Sequence, residues 1–177
     1  MAQRVNLYVT IQTHGPRRQD GSYIWLLERI RENGEPDPRT MQRSGTREDT
    51  IDRNLAMEAI VEALDHVKEG NEVQIILCPD YMARAMPAAW ANGWVDTWER
   101  NGWKTVRGEE VKNAELWKKC TAALRRKNAV FAEKGAANAY KSWMVSELKT
   151  VARGKNAACE EQGNGKIRIT RMEKPGS

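Results

Sequence analysis

The side chains in this sequence best suited to doing chemistry are cationic and aromatic, and they are concentrated. Between Arg100 and Lys127 stand nine Lys or Arg (Arg100, Lys104, Arg107, Lys112, Lys118, Lys119, Arg125, Arg126 and Lys127) against Glu109, Glu110 and Glu115. Within that stretch, "NGWKTVRGEEVKNAELWKK" sets Trp103 and Trp117 on either side of an Arg107-Gly108 turn and runs into a helical pattern. Cations at this density neutralise phosphates, and flat side chains pack against sugars and base edges. The ligand such a stretch would recognise is a nucleic acid. The whole chain is only modestly basic, with a net charge of +5 and a pI near 9.2, so the argument rests on where the charge lies.

Other chemistries have thinner support. Cys78, Cys120 and Cys159 lie about forty residues apart with no CxxC pair, and the chain holds two histidines, a pattern that predicts free thiols and no zinc site. Cys78 closes an apolar run just before Pro79, where it reads as a small buried filler, the alternative being a reactive thiol at a helix N-terminus. His14, in "THGPRR", reads as a turn residue without triad partners. Glu58, Glu62, Asp65 and Glu69 read as a solvated helix face. The phosphate, dinucleotide and hydrolase motifs GxxxxGK[ST], GxGxxG and GxSxG are absent.

The elements that must position these residues follow from periodicity. Residues 4–12 alternate Val5, Leu7, Val9 and Ile11 with polar positions, Tyr8 excepted, which predicts a strand with Tyr8 on its polar face. Residues 23–32 fit either a helix or a second strand; Tyr23-Ile24-Trp25 and the hairpin signal Asn33-Gly34 favour the strand, with a partner at 38–45. From Thr50 to Val67 the apolar residues recur at helical spacing until Gly70. "VQIILC" (73–78) reads as a buried strand with Pro79 opening the next helix. Over 88–100, Trp90, Trp94 and Trp98 at i, i+4, i+8 predict one helical face packed on the core. Helices over 114–126 and 136–152 bracket a short strand at 128–133, and 153–177 reads as a basic, flexible tail to a single domain over 1–152. No apolar run approaches the roughly 18 to 20 residues of a membrane span, and the opening "MAQRVNLYVTIQTHG" has no signal-peptide pattern, so the cytoplasm is the expected compartment.

With the elements in place, the middle of the chain resembles ribonuclease H of the cellular, single-domain type. Trp94, Trp98, Gly102-Trp103-Lys104-Thr105, Val111-Lys112-Asn113 and Leu116-Trp117 fall on the pattern of the helix, basic handle and following helix with which that family grips an RNA/DNA hybrid. "ALDHVKEGNEV" (63–73) is similar to the end of its first helix and the entry to its fourth strand. The resemblance, which spans roughly 4–152, implies a mixed five-stranded α/β sheet flanked by helices. It also implies a two-metal nuclease built on four carboxylates, and here the sequence departs from the family. The first acid falls at or beside Thr10, the helix acid at Ala56, the third at Cys78 (or Asp80, if two residues are inserted upstream) and the fourth at Ser146. The glycine loop "EKGAAN" lacks the family's histidine.

The expectation is therefore a degenerate ribonuclease H-like domain, of the kind carried on bacterial mobile elements, that binds an RNA/DNA hybrid or structured RNA without cleaving it and without a cofactor. Arg100, Lys104, Arg107 and Lys112 are expected on phosphates, Trp103 in the packing of the loop, and Asn54 and Asn113 near the sugars. Two alternatives stay open: a protein-interaction scaffold on the same fold, and an active Mg or Mn nuclease whose acids have regrouped as Glu58, Asp80 and Glu147.

Overall fold

The computed structural model describes residues 3–13, 17–133, 136–157 and 167–171, with 80–81, 152–157 and 167–171 described through their backbone. Its spine is a sheet whose central strand, β1 (Arg4–Gln12), pairs antiparallel with β2 (Gln19–Ile30) and parallel with β4 (Glu72–Cys78). β3 (Pro36–Thr50) extends the β2 edge and β5 (Ala129–Phe131) the β4 edge, which makes the expected five-stranded mixed sheet. A sixth strand, β6 (Ile167–Arg171), adds antiparallel to β3, so the order is β5-β4-β1-β2-β3-β6. β6, and the run of α5 (Lys141–Ala157) past residue 152, fall in the stretch read from sequence as a tail, of which 158–166 and 172–177 lie outside the described residues.

The two faces of the sheet are covered by different helices. On one, Val5, Leu7, Val9 and Ile11 meet Tyr23, Trp25, Leu27, Val73, Ile75 and Leu77 under α1 (Asp52–Leu64). On the other, Tyr8, Ile24, Leu26 and Ile76 pack against Tyr140, Met144 and Leu148 at the start of α5. Tyr8 is therefore buried rather than solvated: period-two alternation names two faces, and a helix arriving from 130 residues away decides that both are dry.

The tryptophan helix is corrected. α2 (Asp80–Ala91) ends at Asn92, Gly93 takes a left-handed φ of 77°, and a separate helix, α3 (Trp94–Arg100), begins after it. Trp90, Trp94 and Trp98 thus share no helical face. Trp94 is half exposed, while Trp90 and Trp98 pack on the core beside Trp117 of α4 (Ala114–Arg126). Glycine is the residue that tolerates this break, because a side chain at positive φ crowds the following carbonyl.

Candidate nucleic-acid interface and the centre of the sheet

The segment between α3 and α4 is a small braced hairpin. The Trp103 amide donates to the Trp98 carbonyl at 2.6 Å and turns the chain back on the end of α3. Lys104 then pairs antiparallel with Glu110, and the Val111 amide donates to the Trp103 carbonyl at 3.0 Å. The tip closes through Thr105 N–H to Glu109 O at 2.7 Å and Gly108 N–H to Thr105 O at 2.9 Å, leaving Val106 and Arg107 at the apex. Left-handed φ values at Gly102, Trp103, Gly108 and Asn113 make the corners.

Aromatic side chains fasten this hairpin to the sheet. Ring centroids run from Phe131 to Trp90 (5.4 Å), Trp90 to Trp117 (5.3 Å), Trp117 to Trp98 (5.3 Å) and Trp98 to Trp103 (6.3 Å). The Trp90 indole N–H donates to Thr121 Oγ1 at 3.1 Å. Two cations lie over the same rings, Lys118 above Trp103 and Arg53 above Trp117, each at 5.8 Å. Trp103 thus packs on Trp98 and Lys118, and through the ring series its support reaches back to β5.

Burial and pairing sort the nine cations into two groups. Arg125 holds Glu99 through two bonds of 2.6 and 3.1 Å and reaches Asp96 at 3.7 Å, so it ties α3 to α4 and keeps the Glu99 carboxyl below its ordinary range. Arg126 pairs with Glu69 at 3.7 Å, Lys118 with Glu115 at 3.2 Å, and buried Lys127 donates to the Val67 carbonyl at the end of α1. Arg100, Lys104, Arg107, Lys112 and Lys119 are exposed. Arg100 also reaches Thr97 Oγ1 at 3.4 Å. Asn113 is exposed just before α4 and makes no side-chain cap, whereas Asn54 is buried in the first turn of α1.

At the centre of the sheet, Thr10 and Cys78 are register partners on the α5 side, and both are buried. The Thr10 hydroxyl donates to the Met144 sulfur at 3.6 Å. Ser146 does not join them. It is exposed, two residues and about 200° of helix beyond Met144. The α5 position that meets Thr10 is therefore Met144, as the apolar spacing of Tyr140, Met144 and Leu148 requires. Ala56 is buried with the cluster on the opposite face of the sheet. A hard divalent ion binds through carboxylate oxygens, and a neutral hydroxyl beside a thioether and a thiol does not fit one. Nor are the fallback acids gathered: Glu58 faces Arg47 at 3.2 Å beneath α1, Glu147 sits on α5 across the sheet and has its own interactions, and the Asp80 side chain lies outside the described residues. Among the described residues no three His, Cys, Asp or Glu side chains come together as metal ligands.

Two polar clusters were not foreseen from sequence, a buried one around Glu28 and a partly buried one around Glu62, a residue read there as part of a solvated helix face. Glu28, 1% exposed on the α5 side of β2, accepts from Tyr8 Oη and Asn6 Nδ2, each at 3.1 Å, and from Tyr140 Oη. Burial, followed by the negative charge and hydrogen bonding of Glu28, pushes the Tyr8 hydroxyl well above its ordinary pKa; Tyr140 is pushed up likewise, by burial first. On the α1 side, Glu62 accepts from Tyr23 Oη (2.9 and 3.0 Å) and Trp25 Nε1 (2.9 Å) and pairs with Arg43 and Arg47. Burial, then Glu62, raises Tyr23 to about 12. A buried acid inside the apolar run "YIWLLERI" was the available signal for the first cluster.

Comparison with known proteins supports the same fold. The RNase H family model matches residues 21–139. Ribonuclease H of Syntrophomonas wolfei is 34% identical over 101 residues, covering 56% of this chain and 66% of that protein. Ribonuclease H of Chelativorans sp. is 37% identical over 82 residues, covering 46% of this chain and 48% of its own. The chain thus spans between about half and two thirds of the length of these relatives. Among solved structures, LC9-RNase H1, described as a type 1 RNase H with the type 2 active-site motif, aligns with a TM-score of 0.68 at 20% identity over 96% of this chain and 79% of that one. A foamy viral protease-reverse transcriptase in complex with an RNA/DNA hybrid aligns with a TM-score of 0.56 at 16% identity over 87% of this chain and 20% of that one. With a family match over more than half of its 177 residues and that fold beneath it, the chain belongs to the RNase H family.

Proposed function

We propose that this RNase H domain binds an RNA/DNA hybrid through the hairpin between α3 and α4 and does not cleave it. The observation that carries the reading is a contrast within one molecule. The hairpin is braced by stacked tryptophans and Arg100, Lys104, Arg107 and Lys112, on it and beside it, are exposed, while the sheet centre is filled by Thr10, Cys78 and Met144. Phosphates need only the first feature; hydrolysis by a metal pair needs carboxylates in place of the second. The foamy viral relative in fold, solved with a hybrid, supports the choice of ligand.

The test is a fluorescence titration of an RNA/DNA hybrid at several salt concentrations. Lys104→Glu with Arg107→Glu weakens binding strongly and lowers the salt slope by about two phosphates' worth. Wild-type protein without salt-dependent affinity for hybrid, duplex RNA or duplex DNA refutes nucleic-acid binding and leaves the protein scaffold. Hybrid cleavage in magnesium or manganese, abolished by Asp80→Asn, refutes the inactive reading.

A further inference from the structure

The sheet face that carries α1 also holds a cavity. α1 ends at Leu64, and the chain crosses to β4 through residues 65–71, the Val67 amide donating to the Leu64 carbonyl at 3.0 Å. Between this crossing and the strands lies a space of about 290 Å³, floored by Val5, Leu27, Met41 and Val67. Strand register sets cations around it. Arg29 is the β1 partner of Val5, and Arg39 stands two residues before Met41, so both fall on the same face as the apolar floor. Lys68 follows Val67 on the crossing, and His66, 5.4 Å from Trp25 between ring centroids, forms one wall.

The charge around this cavity has one sign. No Asp or Glu is among its described lining residues. The nearby Asp37 takes Arg29 at 2.6 Å and Arg31 at 3.7 Å, whereas the exposed Arg39 and Lys68 have no ion-pair partner among the described residues. Cations gathered round an apolar, low-dielectric wall reinforce one another's potential, and an anion at the mouth relieves it. An apolar cavity with a few convergent polar groups is the usual form of a small-molecule site. We propose that this cavity binds a small carboxylate with an apolar body, its head on Arg39 and Lys68 and its body on Leu27, Met41 and Val67. The guanidinium fork of Arg39 suits a carboxylate, and the space admits a short chain or a single ring. None of these residues belongs to the hairpin between α3 and α4 or to the sheet centre, so the site stands independently of the functional reading above.

The experiment follows backbone amide shifts of the full chain by NMR as octanoate, acetate or octan-1-ol is added. The expected result is saturable octanoate binding that moves the Leu27, Met41, Val67 and Lys68 amides, with acetate and octan-1-ol each at least roughly tenfold weaker. Acetate lacks the apolar body and octan-1-ol lacks the charge. Arg39→Gln with Lys68→Gln is expected to weaken octanoate by roughly tenfold or more, while Arg84→Gln with Lys149→Gln, which removes the same charge from exposed residues that do not line the cavity, changes it less than about twofold. Absence of saturable shifts at those four amides overturns the proposal. So does acetate or octan-1-ol binding as tightly as octanoate, or an equal loss in the two double variants. Should the Arg39 and Lys68 variant melt below wild type, the three-ligand series on wild type decides the matter alone.

Discussion

Tyr140→Phe removes one hydroxyl from the buried polar cluster around Glu28, and the structure gives both the size and the pH dependence of the result. The Tyr140 ring is 1% exposed and stands edge-on to Tyr8 at 5.1 Å, a contact that phenylalanine keeps. What is lost is the bond from Tyr140 Oη to Glu28, the link from the loop before α5 to the carboxylate on β2. Hydrogen bonds to charged groups contribute about 1.5–3 kcal/mol, so a loss of about 2 kcal/mol is expected at neutral pH, or about 4–8 °C in melting temperature for a chain of this size. Glu28→Gln and the double variant complete a cycle in which the two losses are not additive. The pH dependence has a definite sign. The folded-state pKa of Tyr140 is raised above the unfolded value near 10, so the folded state holds the proton more tightly. That stability is fully present below about pH 10 and declines above it, by up to about 1.4 kcal/mol per pH unit for each such tyrosine. Tyr8 and Tyr23 act in the same direction, Tyr23 between about 10 and about 12. Tyr140→Phe should therefore decline less steeply in alkali, by one proton's slope, in urea unfolding measured from pH 7 to 11. A loss below about 0.5 kcal/mol at neutral pH, or an unchanged alkaline slope, would show that the hydroxyl and the carboxylate do not interact as the geometry requires.

A Cβ on Gly45 would stand 2.7 Å from Tyr23 Oη and 2.8 Å from the adjoining ring carbon. Gly45→Ala is thus expected to push the ring off Glu62 and destabilise the fold by roughly 1–3 kcal/mol in chemical denaturation, and a variant as stable as wild type would contradict that packing. Burial pushes the Cys120 thiol up to about 12, so site-resolved labelling at pH 8 should leave it unmodified until global unfolding; fast native-state labelling would reveal local opening of α4. Magnesium at millimolar concentration is expected to leave the melting temperature unchanged, and a rise of several degrees abolished by Asp80→Asn would show that acids have regrouped around an ion.

The sequence by itself determined the elements whose signal is local. β1 and β4 are written in period-two and β-branched runs, α1 in helical spacing that stops before Gly70, and the β2–β3 hairpin in Asn33-Gly34. Side chains three, four or two positions apart carry these patterns, and nothing distant is needed to read them. The basic, aromatic segment between α3 and α4 stands out for the same reason, since its cations, tryptophans and turn are consecutive in the chain. Only the tertiary structure decided which faces are dry, which charges are spent and which residues meet. Arg125, Arg126 and Lys127 look like phosphate ligands in a row of basic residues, yet folding brings them Glu99, Glu69 and the Val67 carbonyl. Tyr8 looks solvated and Ser146 looks central, until the side of α5 that packs on the sheet buries the first and leaves the second exposed. Glu28 reads as one acid among many, and its meeting with Tyr140 across 112 residues is set by strand register and helix rotation together. Those two quantities are fixed by the best simultaneous burial of all the apolar faces, a property of the whole fold that no short stretch of sequence contains.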